Sequence, residues 1–336
     1  MKILFICKAS TEMGFGHLFR SRTLAEVANN EHEVNFFVIG SEVVRKLLWN
    51  VKFNVHIISE ENELYKYVAE KFDVIIFDMM YMNEDLVLHL KNKSLISVSI
   101  SPIFNHMSKM DILFSRTKYT GNDHEVKGIK TYLGLKYTII QKACKRINTN
   151  IFRQNLIRKN FSVAISMGGG DAANNTLTLL ETLKNFKLPT TFWVLLGEGY
   201  THSYDCLVNT ISKNHNQEII LAKTNSSMWY LLSNCVMAIL SGGVTTYEAA
   251  YAGLPTINMH ESERQFFLIK ELVEEGISIN GGLMNGENLL KLYEQLEEFY
   301  NNRKKLLEMH KNSKKVIDGK GSERIIKIIE KELWLY

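Results

Sequence analysis

Proline is rare in this chain: Pro102, Pro189 and Pro255 are the only three in 336 residues, which leaves no proline-rich linker or polyproline segment. Cysteine is nearly as sparse. The four, Cys7, Cys144, Cys206 and Cys235, lack the close spacing of a zinc site. Cys7 and Cys235 lie in apolar runs and read as buried free thiols, which suits a reducing cytosol. No apolar run approaches the ~18–20 residues that cross a bilayer. Met1-Lys2 passes straight into a short strand rather than a secretory signal, so stable membrane insertion is not expected and a cytoplasmic location is. Neither sign of charge dominates. Forty Lys and Arg against 36 Asp and Glu give +4, too small and dispersed for a nucleic-acid partner, though a mildly basic pocket suits an anionic ligand. Walker-type loops, zinc-ligand spacing and catalytic-triad motifs are absent too, which argues against ATPases, metalloenzymes and proteases.

What is present is alternation. Apolar strand-like runs at 2–7, 33–39, 55–58, 74–77, 95–100 and 112–114 are separated by helical patterns at 17–30, 41–50, 61–71 and 84–92. The second half repeats this, with strands at 161–166, 190–196, 218–222, 235–240, 256–259 and 277–279. Its helices are expected near 172–185, 203–213, 226–232, 245–252, 263–275 and 286–300. Strands joined by amphipathic segments make βαβ units, hence an α/β protein with parallel sheets covered on both faces. A chain of 336 residues exceeds the ~250–300 residues of a single core. The expected division is a Rossmann-like lobe at 1–148, a second at 149–320, and a terminal helix at 321–336 that packs back on the first.

Glycine marks three of the strand ends. Gly14-Phe15-Gly16-His17 follows the first strand, where Gly14 and Gly16 permit a tight turn and close approach of the backbone to a ligand. His17 then falls in the first helical turn, with Arg20 one turn later. The positive end of a helix dipole favours neutral imidazole, the form a general base needs. A helix-capping histidine is the other reading of that position. Met167-Gly168-Gly169-Gly170-Asp171 follows the first strand of the second half. It suits a nest of N–H groups for phosphate oxygens, with Asp171 capping the next helix. Ser241-Gly242-Gly243 ends a further strand, and Glu248 lies in the first turn of the helix that follows. A carboxylate there either accepts from two ribose hydroxyls or complements the helix dipole. Gln265, at the start of the helix after 256–259, is placed to reach sugar hydroxyls. Glycine turns at the carboxyl ends of parallel strands in both halves suggest two lobes facing a shared cleft.

In this order the motifs resemble the two-lobed GT-B glycosyltransferase superfamily over nearly the whole chain. Ser241-Gly242-Gly243 through Glu248 to Ala252-Gly253-Leu254-Pro255, then Gln265 and Gly276, is similar to the donor half of the N-acetylglucosaminyltransferase that makes lipid II. Gly14-x-Gly16-His17-x-x-Arg20 with Leu24-Ala25, Phe77-Asp78 with Tyr81, residues 133–140 and Met167–Asp171 resemble the UDP-sugar hydrolases of pseudaminic acid biosynthesis and their spore-coat polysaccharide relatives. The resemblance implies a GT-B fold, a UDP-activated deoxy-diacetamido sugar as substrate, and inversion with neither metal nor cofactor. It makes His17 the base that activates water, Glu248 the ribose ligand and Gln265 a sugar contact. Gly14, Gly16, Arg20, Asp78, Tyr81, Gly168, Gly169, Gly170, Ser241, Gly242 and Gly243 would complete the substrate site, with uracil against 221–224. Two departures fall in the first half. Ser99-Ile100-Ser101 stands where the hydrolases carry an acidic pair, and one extra residue separates Asp78 from Tyr81. An inverting glycosyltransferase using a UDP-sugar donor is the alternative that the same motifs allow.

Overall fold

In β1 (Lys2–Ala9) alternate residues enter opposite cores. Ile3, Phe5 and Cys7 join one cluster, while Leu4 and Ile6 join the other. A strand buried on both faces reads as a continuous apolar run, and such runs build parallel sheets between two helical layers. The computed structural model describes residues 1–119, 128–224 and 228–335. They form two units, each described in turn. The first comprises Met1–Ser10, Phe15–Gln141 and the chain from Gly319 onward; the second comprises Thr11–Gly14 and Lys142–Asp318.

The first unit holds β1, β2 (Glu33–Gly40), β3 (Asn54–Ile58), β4 (Phe72–Asp78), β5 (Ser94–Ser99), β6 (Ile112–Ser115) and β7 (Lys130–Leu133). Among the described residues these form one parallel sheet in the order β3-β2-β1-β4-β5-β6-β7. Its helices are α1 (Gly16–Ala28), α2 (Glu42–Leu47), α3 (Leu64–Tyr67) and α4 (Glu84–Lys91), with α13 (Gly321–Leu333) from the far end of the chain. The helix expected over 61–71 is shorter: a 3-10 turn at Glu61–Glu63 leads into α3. Strand β7 was not anticipated. Its Lys-Thr-Tyr-Leu sequence sits at the sheet edge, exposed in its first half and part-buried in its second, so it lacks an apolar run.

In the second unit β8 (Phe161–Ser166), β9 (Thr190–Leu196), β10 (Glu218–Lys223), β11 (Met237–Leu240), β12 (Thr256–His260) and β13 (Ser278–Leu283) make a parallel sheet ordered β10-β9-β8-β11-β12-β13. Around it lie α5 (Thr149–Ile157), α6 (Asn175–Leu183), α7 (Tyr204–Ser212), α8 (Met228–Leu232), α9 (Val244–Ala252), α10 (Glu263–Glu274), α11 (Gly286–Asn301) and α12 (Arg303–Val316). Residues 226 and 227 of the expected helix 226–232 lie outside the described residues. None of the described helices is long and apolar enough to cross a membrane.

The units divide at 141/142 rather than at 148/149. Residues 142–148 are fastened within the second unit. Ile147 N donates to Ala252 O at 2.8 Å, and Arg146 donates to Lys314 O at 2.9 Å and to Ile317 O at 2.6 Å. Helix α13 belongs to the first unit, where Ile325, Ile326 and Ile329 join the cluster built on α1 and one face of the sheet.

Candidate active site

In each sheet the strand order reverses once. The reversal falls between β1 and β4 in the first unit and between β8 and β11 in the second. Loops leaving such a pair diverge to opposite faces, which opens a crevice at the carboxyl ends of the strands where doubly wound sheets take their ligands. Every glycine turn singled out from the sequence follows β1, β8 or β11.

Gly14, which is grouped with the second unit, adopts φ +79° with open space where a Cβ would stand, so conformation rather than crowding calls for glycine. Gly16 opens α1, and His17 follows it in the first turn. His17 Nδ1 lies 2.6 Å from Asp78 Oδ1. Asp78 is the last residue of β4, wholly buried and paired in register with Cys7 of β1. Arg20 donates from Nε to Asp78 Oδ2 at 2.9 Å and from Nη2 to Oδ1, and Ser21 Oγ donates to Oδ2 at 2.9 Å. A guanidinium has no acceptor and a carboxylate no donor, so the proton at His17 Nδ1 belongs to the imidazole. That tautomer leaves Nε2 with the free lone pair.

Burial alone would raise the Asp78 carboxyl. The Arg20 charge, then His17, outweigh it and hold the group well below the usual carboxylate range. Cys7 behaves oppositely: burial, then the charge of Asp78, pushes its thiol up, so it packs as a neutral group. Arg20 and Asp78 were expected to touch substrate. The structure turns both inward beneath His17, because a carboxylate at 0% exposure is satisfied only by the donors packed around it. Ser21 was missed. Its signal was positional, since 17, 20 and 21 share one helical face. Tyr81 stands exposed in the loop after β4.

In the second unit the turns after β8 and β11 adjoin: a Cβ on Gly168, which has φ +102°, would lie 3.8 Å from Ser241 Oγ. Packing accounts for part of the glycine run. A Cβ on Gly170 would fall 2.1 Å from Thr11 O, and one on Gly197 would fall 2.4 Å from Gly169 O. Helix α6 starts at Asn175, later than expected. The Asp171 carboxylate caps it as expected, accepting from Asn175 N at 2.8 Å and Thr176 N at 2.9 Å. Among the described residues Asp171 (φ 49°) and Asn174 (φ 54°) are the non-glycine positions with left-handed backbone. Their turn is held by Tyr200 Oη donating to Asn174 Oδ1 and His202 Nε2 donating to Asp171 O, both at 2.8 Å.

After β11, Gly242 (φ +81°) passes over His260, whose Nδ1 would stand 2.9 Å from a Cβ there. Gly243 is the residue before α9. Because α9 begins at Val244, Glu248 is its fifth residue and lies in the second turn, not the first; it is 4% exposed. Thr246 Oγ1 donates to Asn258 Oδ1 at 2.7 Å and ties α9 to β12. Gln265 Oε1 accepts from the backbone N of Glu261 at 2.9 Å, so this side chain braces the entry to α10. Glu31, His32 and Glu330 bring ligand atoms within 4.8 Å of one another. They lie at the amino-terminal edge of the first sheet, where His32 and Glu330, 2.9 Å apart, tie α13 down.

Comparison with known proteins adds the following. An uncharacterised protein of Methanocaldococcus jannaschii is 26% identical over 276 residues, 79% of this chain but 57% of that protein, so the match spans little more than half of that relative. The spore coat polysaccharide biosynthesis protein SpsG of Bacillus subtilis is 21% identical over 334 residues, 95% of each chain. Among solved structures, MnaA of S. aureus in complex with UDP superimposes with a TM-score of 0.68 over 100% of this chain and 98% of that one, at 14% identity. No protein-family profile matches the chain. Two Rossmann-like parallel-sheet units of this topology constitute the GT-B fold, in agreement with the sequence.

Proposed function

We propose that the protein hydrolyses a UDP-activated deoxy-diacetamido sugar, with inversion and without a metal, in the assembly of a bacterial surface glycan. The observation that carries this reading is His17, its Nδ1–H donated to the buried carboxylate of Asp78 at 2.6 Å. Oriented in this way, Nε2 takes the proton of a water as its oxygen bonds to the anomeric carbon. The bond from that carbon to the diphosphate breaks, and its electron pair leaves with UDP. Asp78 stays ionised and stabilises the imidazolium until the proton passes to solvent. In this reading Gly14, Gly16 and Tyr81 border the sugar and water. The backbone N–H groups of Gly168, Gly169 and Gly170, the Ser241-Gly242-Gly243 turn and the amino end of α9 meet the developing diphosphate charge. Glu248 holds the ribose. The spore-coat polysaccharide relative and the fold neighbour in complex with UDP support the assignment.

One observation favours a second reading, transfer of the sugar to an acceptor hydroxyl. Ser99 and Ser101, which stand where the resembled hydrolases carry an acidic pair, are wholly buried, and among the described residues Ser101 Oγ has no hydrogen-bond partner. The segment therefore supplies no carboxylate of the kind the hydrolases carry there, which weakens the case for water over an acceptor hydroxyl. Proton NMR of the protein with UDP-2,4-diacetamido-2,4,6-trideoxyhexoses and other UDP-sugars, no acceptor added, separates the two. Free sugar and UDP released at enzymatic rates, insensitive to EDTA and abolished by His17→Ala with UDP affinity retained, is the expected result. Saturable UDP binding without turnover transfers the assignment to a glycosyltransferase. Absence of UDP binding discards both.

A further inference from the structure

The turn after β12 contains a carboxylate that the sequence reading passed over. Glu261 lies between His260, the last residue of β12, and α10. Its Oε1 accepts from Asn175 Nδ2 at 2.9 Å. Asn175 is buried and is the first residue of α6, on the turn that follows β8. In the sheet β11 lies between β8 and β12, so this hydrogen bond spans the strand whose end carries Ser241-Gly242-Gly243. The backbone of Glu261 is fixed as well, through its N–H donated to Gln265 Oε1 at 2.9 Å. Among the described residues no donor reaches the second oxygen, Oε2, and the residue remains exposed. Gln265, expected to touch the sugar, holds the backbone of Glu261 with its Oε1.

We propose that Glu261 selects the sugar: its free oxygen accepts from hydroxyl or amide N–H groups of an uncharged sugar, and its charge rejects sugars that carry a carboxylate. This rests on the reading of the second unit as a UDP-sugar site. The rejection follows from the company Glu261 keeps. Asp171 lies on the other side of Asn175, capping α6 with its own carboxylate. Partial burial, then the charge of Asp171, pushes the Glu261 carboxyl upward, so the two carboxylates act on one another. An anionic sugar brings a third. Among the described residues the donors at Glu261, Asn175 Nδ2 and its own backbone N–H, are neutral and already engaged. A neutral sugar instead supplies the donors that Oε2 lacks.

Calorimetric titration with UDP, UDP-N-acetylglucosamine and UDP-glucuronate tests this on the wild type and on Glu261→Gln. The wild type is expected to bind the neutral sugar nucleotide about tenfold or more tightly than the acidic one. In Glu261→Gln that ratio should fall about fivefold or more, with affinity for UDP itself unchanged. Asn175→Ala, which frees the side chain from its tether, should weaken UDP-N-acetylglucosamine but not UDP. An unchanged ratio in Glu261→Gln overturns the role of Glu261 while leaving the UDP site standing. A wild type that binds none of the three removes the site and this inference together.

Discussion

At the scale of single residues the decisive arrangement is His17 above Asp78. A lone imidazole at a helix start is an indifferent base. A buried anion on its Nδ1 side fixes the tautomer and stabilises the proton it collects. Asp78→Asn removes that anion and keeps the shape, so turnover should fall by about 10²–10⁴-fold, the usual contribution of a positioned general base. UDP affinity should hold. The same change leaves Arg20 buried without its counter-charge, at a cost of about 3–5 kcal/mol, readable as a lower urea midpoint. An Asp78→Asn protein with wild-type kcat would take the base role away from His17. The pH dependence follows from the depressed Asp78 carboxyl. Folded below its unfolded value of about 3.9, it contributes stability that is complete above that value and is lost as pH falls through the folded one. An acid limb in activity at milder pH therefore cannot be protonation of Asp78. None of these partners was legible locally, because Asp78 lies 61 residues from His17 and 58 from Arg20. The resemblance brought His17, Arg20 and Asp78 to one site, while the helical spacing that adds Ser21 went unread.

At the scale of elements, apolar runs announced the buried strands and glycine announced the turns, since both signals are short-range. The signal failed where an element draws its stability from outside its own sequence. Strand β7 is an edge, and its polar residues need not alternate cleanly. Helix α6 begins at Asn175 because Asp171 and Asn174 both adopt left-handed backbone just before it. The glycine run was read as a phosphate cradle from its entropy cost; the backbone of Thr11 against Gly170 is a packing reason no local pattern displays. The cap can be separated from the backbone strain by two substitutions. Asp171→Ala should lower stability by about 1–2 kcal/mol, since two N–H groups lose their acceptor. Asp171→Gly loses the same cap but suits φ 49°, and should recover about 1 kcal/mol of that loss. Equal melting temperatures for the two variants would mean that the left-handed conformation costs nothing here.

At the scale of the whole molecule, the chain leaves its first unit at Gln141 and re-enters it at Gly319. The first core is therefore completed by residues from the far end of the sequence. From the sequence a terminal helix at 321–336 is expected to pack back on the first lobe, but not which side chains it buries there. The stretch 145–150 is polar by composition, yet it is held within the second unit by a backbone hydrogen bond from Ile147 and side-chain hydrogen bonds from Arg146. Ile329 tests the consequence. It is fully buried in the cluster that α13 shares with α1 and β1, and truncation of such a residue to alanine costs about 2–5 kcal/mol. Against a total of about 5–15 kcal/mol, that is a large fraction from a residue 312 positions away from His17. Hydrogen exchange on Ile329→Ala should show the loss in the amides of β1 and α1, where the site residues are anchored, and leave those of β8 and β11 at wild-type rates. Loss confined to β8 and β11 would refute the placement of α13. With the placement upheld, turnover of Ile329→Ala should fall as the pairing of His17 with Asp78 loosens, although α13 contributes no residue to the proposed chemistry.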